Sequence, residues 1–327
     1  MSETPRKMII GTSLTAASDD VVRIGAAIAR AAGASPWLVH GYLPAALPLE
    51  AAVDGILIEQ QIKELHEALA QQAQRTGLAD LPGFKADRLL PLMDSPSRAI
   101  VELARQARAD LIVIGAAESG ALHRLLLGST AGGVVRKTPC PVLVLRSASA
   151  FPPARVEIPV DFSPISAHAL SQGLSLLAEV GVPLADTEVL FVLSPFEAAG
   201  SLHFTAEQVE HFAGEELGRF AKANSPGAVP RLARVRVGVV TDEILAVLQE
   251  RQADLAILGT HGRSGFERLT LGSVAADVMH RGACNLLVVP PDASLQQETA
   301  HRREELKRAD WTFVSDETPA TAGTVVT

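Results

Sequence analysis

The feature that most constrains this chain is that it repeats itself. Ala109-Asp110-Leu111-Ile112-Val113-Ile114-Gly115 is answered 144 positions later by Ala253-Asp254-Leu255-Ala256-Ile257-Leu258-Gly259. Carried forward with no gap, the same offset lays Gly128-Ser129 on Gly272-Ser273 and Cys140 on Cys284. A register held from Ala109 to Cys140 marks a duplication, and a unit of this length is a domain rather than a solenoid repeat. With 327 residues the chain has room for two buried cores. The reading is a first domain over 1–147, a linker over 148–154 within the small, proline-containing stretch SASAFPPA, a second domain over 155–291 and a tail over 292–327.

Both copies alternate short apolar runs with segments of helical period. In the first, strands are expected at Met8 to Gly11, Trp37 to Tyr42, Lys85 to Leu90, Leu111 to Gly115 and Val142 to Leu145. Helices are expected over Asp19 to Ala32 with Ser18 as N-cap, over Gly55 to Thr76, from Ser95-Pro96 onward, and after Gly128. The second copy predicts strands at Val156 to Val160, Val189 to Leu193, Leu232 to Val237, Leu255 to Leu258 and Leu286 to Val289. Its helices are expected after Ser163-Pro164, over Thr205 to Ala223, from a Thr241 cap to about Gln252, and after Gly272-Ser273. Strands alternating with helices imply an α/β fold: two tandem open, twisted, parallel five-stranded sheets covered by helices on both faces.

The fourth strand of the second copy breaks at Gly259, and glycines follow at Gly262, Gly265 and Gly272, the last leading through Ser273 into a helix. Strand, glycine loop and helix start together suit an anion, because glycine lets backbone N–H groups approach closely and a helix start supplies unpaired donors. Gly259, two residues, Gly262, nine residues, then Gly272-Ser273 resembles the nucleotide-binding signature of the universal stress protein family, whose adenine-nucleotide-binding members hold phosphates in this loop. The segment Pro159-Val160-Asp161-Phe162-Ser163 resembles the family's first strand, whose aspartate contacts adenine. The resemblance implies a site for ATP, or ADP or AMP, with Mg²⁺ as an accompanying cation. Asp161 and Val192, beside Pro159, would meet the base. Leu258, Gly259, Gly262, Gly272, Ser273 and Val274 would hold ribose and phosphates, with Thr260, His261 and Arg263 inside the same loop. It also implies that the last strands of the two copies pair.

Aligned by eye, the first copy puts Thr12 where the second has Asp161, and Glu118 where it has Gly262. A carboxylate about 4 Å from a phosphate is repelled by roughly 4 kcal/mol at an effective dielectric near 20. The first copy is therefore expected not to hold ATP in the family's manner. As a bland alternative, the glycines end strands, Ser273 caps a helix and the duplicated scaffold serves, without nucleotide, an unidentified protein partner or a membrane transporter as a regulatory subunit; a homo-oligomer is a separate expectation. A slow ATPase is a third reading, but the chain has no GxxxxGK[ST], GxSxG or HExxH motif, and His261 alone is a poor candidate base.

A net charge of −8 argues against a nucleic-acid partner. No apolar run reaches the roughly 18–20 residues of a membrane span, and no leader-like segment opens the chain, so a cytoplasmic location is expected. Cys140 and Cys284 lie outside any metal-ligand spacing and read as small buried apolar residues. Leu295 to Asp310 is expected to form an exposed helix and the remainder of the tail to be disordered.

Overall fold

A computed structural model describes residues 6–43, 56–116, 128–147, 151–199, 205–261, 271–295 and 297. The first half runs β1 (Lys7–Gly11), α1 (Ala16–Ala32), β2 (Ser35–Tyr42), α2 (Ile56–Arg75), β3 (Leu89–Met93), α3 (Pro96–Ala107), β4 (Leu111–Gly115), α4 (Ser129–Lys137) and β5 (Val142–Leu145). The second runs β6 (Val156–Val160), α5 (Pro164–Glu179), β7 (Thr187–Leu193), α6 (Pro195–Ala199), α7 (Ala206–Asn224), β8 (Leu232–Val237), α8 (Val240–Glu250), β9 (Leu255–Gly259), α9 (Ser273–Arg281) and β10 (Asn285–Val289).

Several boundaries move from their expected places. The cap of α1 is Thr15, not Ser18; Ser18 lies in the first turn, where its hydroxyl donates to the Thr15 carbonyl at 2.7 Å. The third strand begins at Leu89 because residues 86–88 form a 3-10 turn, so Lys85 precedes the strand. Helix α8 is capped by Val239 without a side-chain bond, and Thr241 is already inside it. In contrast, Ser163 caps α5 as read, its Oγ accepting from the Ser166 N–H at 3.1 Å with Pro164 next in line. The helix expected over Leu295 to Asp310 and the rest of the tail lie almost wholly outside the described residues, as do Gly262, Arg263 and Glu118.

The strand order is β3-β2-β1-β4-β5-β10-β9-β6-β7-β8. Within each half every pair is parallel, and the halves join where β5 meets β10 antiparallel, Leu143 opposite Leu287. The expected pairing of the last strands is thus present, and it makes one continuous sheet. Asn285 fastens the joint: its Oδ1 accepts the Arg146 and Ser147 N–H groups at 2.8 and 3.0 Å, and its amide donates to the Ser147 carbonyl at 3.0 Å. One apolar layer lies between the sheet and α1, α2, α5 and α7, built on residues such as Ile10, Leu38, Leu69, Ile158 and Leu217. The other lies under α3, α4, α8 and α9, built on Ile9, Ile112, Val134, Leu190 and Val278. Each fully buried side chain of this kind stabilises the fold by about 1.5–3 kcal/mol. No helix among the described residues is long and apolar enough to cross a membrane.

Candidate functional site

In an open parallel sheet the ligand crevice lies beyond the carboxyl ends of the strands, where strand order reverses. In the second half β6 stands between β9 and β7, so the reversal falls beside β6. A cleft of about 290 Å³ opens there. Pro159 and Asp161 reach it from β6, Leu190 and Val192 from β7, and Leu258, Gly259 and His261 from β9. Gly272, Ser273, Val274 and Ala275 enter from the start of α9, and Val240 and Ile244 from the start of α8. Nine of the twelve residues singled out from the sequence therefore line one cleft, the other three being Thr260 and the undescribed Gly262 and Arg263.

The wall is apolar on the side of Pro159, Leu190, Val192, Val240 and Ile244, which suits the face of a flat base. Asp161 sits at its edge, Oδ1 accepting the Ser163 N–H at 3.1 Å, with the Asp161 N–H directed to Ser166 Oγ at 3.3 Å. Gly272 is the N-cap of α9 and provides no side-chain cap, and the first turn of that helix, Ser273 to Ala275, lines the cleft, so a helix start with unpaired N–H donors, which favours an anion, borders it. Gly259 is required for packing: a Cβ there would lie 2.9 Å from Ile165 Cγ2. The residues present thus fit a nucleotide, base against the apolar wall and phosphate towards α9. Among the described residues no group of three His, Cys, Asp or Glu side chains is placed to hold a metal ion.

Thr260 is nearly fully buried and does not line the cleft. Its Oγ1 lies 2.9 Å from His261 Nδ1, and its carbonyl accepts the Gly272 N–H at 2.8 Å, tying the two ends of the loop together. His261 Nε2 is buried with no hydrogen-bond partner among the described residues. Among the lining residues that sequence reasoning missed are Ser166, Glu197, Val240 and Ile244. Ser166, in the turn after the Ser163 cap, carried a readable signal; the others depend on how α6 and α8 pack. Glu197 Oε2 accepts from the Ser194 N–H and Oγ at 2.9 and 2.8 Å.

The first half has a corresponding cleft of about 370 Å³. Strand registers fix the equivalences: Met8 pairs with Leu111 as Val156 pairs with Leu255. By this register the counterpart of Asp161 is Ser13 and not Thr12, a correction confirmed by Leu14 and Phe162, which follow them with φ of 60° and 61°. Alignment by eye went one residue astray because the turn between strand and helix has no fixed length in sequence. Thr12 instead corresponds to Val160, and its hydroxyl is spent on Gln72 Oε1 at 2.8 Å and Ser18 Oγ at 2.9 Å. Gly41 stands where the second half has Val192, and Gly11 where it has Pro159, which thins the apolar wall, while Pro96, Ile100 and Ile114 still line the cleft.

Both cysteines are free and buried. Burial pushes the Cys140 thiol up to about 12 and that of Cys284 to about 11, so neither forms a thiolate near neutrality.

The model of the Universal stress protein family matches residues 4–146 and again 154–290. A universal stress protein of Mycobacterium tuberculosis is 30% identical over 216 residues, 62% of this chain and 70% of that protein. One from Mycolicibacterium smegmatis is 26% identical over 297 residues, 89% of this chain and 99% of its own length. Among solved structures, a universal stress protein from Archaeoglobus fulgidus superposes with a TM-score of 0.58 at 16% identity, over 87% of this chain and 98% of that one. A functionally unknown protein from Pseudomonas aeruginosa does so with a TM-score of 0.60 at 17% identity, over 91% and 98%. These last two likenesses establish the fold.

Proposed function

The chain belongs to the universal stress protein family, and from that premise we propose that it is a regulatory protein whose second half holds an adenine nucleotide. The ligand is ATP, with ADP or AMP as alternatives and Mg²⁺ as a companion of the phosphates. The domain of 155–291 carries the site, and that of 1–147 does not hold nucleotide in the same way; 148–154 links them and 292–327 is an appended tail. Nucleotide in the cleft changes the surface that the second half presents to a protein partner or a second copy of the chain, in the cytoplasm.

The observation that carries this reading is the convergence of Asp161, Val192, Gly259, Gly272, Ser273 and Val274 on one cleft with an apolar wall and an uncapped helix start. The first cleft lacks the carboxylate and two members of the wall, since Ser13, Gly41 and Gly11 stand there. The test is calorimetric titration of ATP, ADP and AMP into protein shown to be free of nucleotide. One site per chain is expected. Asp161→Ser should weaken binding about tenfold to a hundredfold, the usual weight of a hydrogen bond to a charged group. Gly262→Glu, which copies Glu118, should abolish binding with the fold intact. Two equivalent sites, no heat at all, or full affinity in both variants overturns the reading.

A further inference from the structure

At the end of the second half remote from the cleft, charged side chains gather where apolar ones are the rule. Glu157 in β6 and Glu188 in β7 are direct neighbours across the two strands and are both buried, Glu157 completely. Arg251, just beyond α8, donates to Glu157 Oε2 at 2.7 Å, lies 3.9 Å from Glu188 Oε2 and reaches Asp186 Oδ1 at 2.9 Å. Arg234 in β8 grips Glu188 with Nε at 2.6 Å and Nη2 at 3.3 Å. Glu250 closes the group against Arg236 and Arg234.

The charges do not balance. Glu157, Glu188, Glu250 and Asp186 face Arg234, Arg236 and Arg251, four carboxylates to three guanidiniums. Alongside, Arg155 and Asp254 form a pair that is neutral in itself. The neighbour of Glu157 on β9 is Ala256, which brings no charge. The excess falls on Glu157, because its second oxygen, Oε1, is buried with no hydrogen bond among the described residues. A buried ionised oxygen without a partner is costly, and taking up a proton from solvent removes that cost and brings the cluster to three charges of each sign.

We propose that this cluster is a proton-operated device: Glu157 takes up one proton under mildly acidic conditions and tightens the second half, and releases it towards alkaline pH, loosening β6, β7 and α8. These are the elements whose opposite ends bring Pro159, Val192 and Ile244 to the cleft. Among the described residues the first half has no such cluster. On the same face it carries Ile9, Trp37, Leu90 and Leu92 in the corresponding places, all within its apolar layer. Burial pushes the Glu157 carboxyl up, the neighbouring Glu188 adds to this, the Arg251 bond and the charges of Arg251 and Arg234 oppose it, and the balance stands at about 7 against an ordinary 4.5. Since the folded value is the higher one, the stability that Glu157 contributes is complete below the ordinary value and is lost as pH rises through the folded one.

The experiment is unfolding of the full chain across roughly pH 5–8, wild type beside Glu157→Gln, which mimics the protonated acid. Relative to the variant, the wild-type unfolding constant should rise by up to about tenfold per pH unit towards neutrality and then level off. A difference that stays constant across the range overturns the proposal. Infrared spectroscopy of the wild type gives a second readout should the variant not fold. A band from a buried protonated carboxyl is expected near about pH 5.5 and should vanish by about pH 8.5; its absence at the acid end overturns the proposal equally. Glu188→Gln should move that midpoint downwards, because it removes the neighbouring negative charge.

Discussion

Laid on each other by strand register, the two halves share a backbone and exchange their polar interiors. On the face of α1 and α2 the first half buries Thr12, Ser18, Asp19 and Gln72 in one hydrogen-bonded set, with Gln72 Nε2 donating to Asp19 Oδ1 at 2.7 Å and Arg75 Nε to Asp19 Oδ2 at 2.8 Å. At corresponding places the second half has Val160, Ser166, Ala167 and Phe220, and its rings Phe162, Phe191 and Phe220 pack together with centroids 4.3 and 5.3 Å apart. On the opposite face the exchange is reversed: Ile9, Trp37, Leu90 and Leu92 in the first half, Glu157, Glu188, Arg234 and Arg236 in the second. A duplicated scaffold thus tolerates a buried polar network in either layer, one closed by hydrogen bonds in the first half and one that leaves Glu157 Oε1 without a partner among the described residues in the second. The consequence reaches the clefts, because in the first half the hydroxyls of Thr12 and Ser18 are tied into this set and Ser13 stands where the second half has Asp161.

The sharpest way to break this comparison is to remove the cation that holds the second network. Arg251→Met leaves Glu157 and Glu188 buried without their shared partner and should cost about 3–5 kcal/mol in urea unfolding. The same change at its counterpart, Ala107→Met, should stay within about 1 kcal/mol. Next come the cleft walls. A Cβ at Gly41 would lie 2.5 Å from the backbone Cα of Pro96, which cannot swing aside, so Gly41→Val should destabilise by about 3 kcal/mol. The reverse change, Val192→Gly, creates space and should cost about 2 kcal/mol with the protein still folded.

A smaller effect separates the networks by the sign of their pH response. The bonds from Arg75 hold the Asp19 carboxyl below its ordinary 3.8. Its contribution is therefore present above that value and is lost as pH falls towards the folded one, opposite to Glu157. Asp19→Asn should cost about 1 kcal/mol at neutral pH, and that difference should shrink on acidification in parallel unfolding curves. Smallest of all are the caps. Ser163→Ala removes a bond to the Ser166 N–H and should cost about 1 kcal/mol, whereas Thr15, which makes no side-chain cap bond, should cost only about a few tenths of that when changed to Ala. Equal effects at the two caps would show that the turns are not as different as their geometry.

Much of this was legible in the sequence because the repeat and the alternation of apolar runs are local patterns. The offset between Gly115 and Gly259 implied the duplication, the five strands of each half follow from their apolar runs, and the convergence of Asp161, Val192 and Gly259 follows from their places at strand ends in a doubly wound sheet. The α1 cap, the start of β3 and the Thr12 alignment went astray at turns, where one residue more or less leaves no periodic trace.

Sequence alone determined the duplicated α/β plan and the parallel pairing within each half, since these rest on periodicity and on residue types that only certain backbones accept. Tertiary structure decided which face each polar residue meets. Glu157 lies in a strand and Arg251 after a helix 94 positions later, and nothing in their neighbours along the chain links them. Their pairing exists because β6 lies next to β7 in the sheet and the end of α8 comes down over both, and a hydrogen bond across that distance in sequence is set by packing and not by pattern.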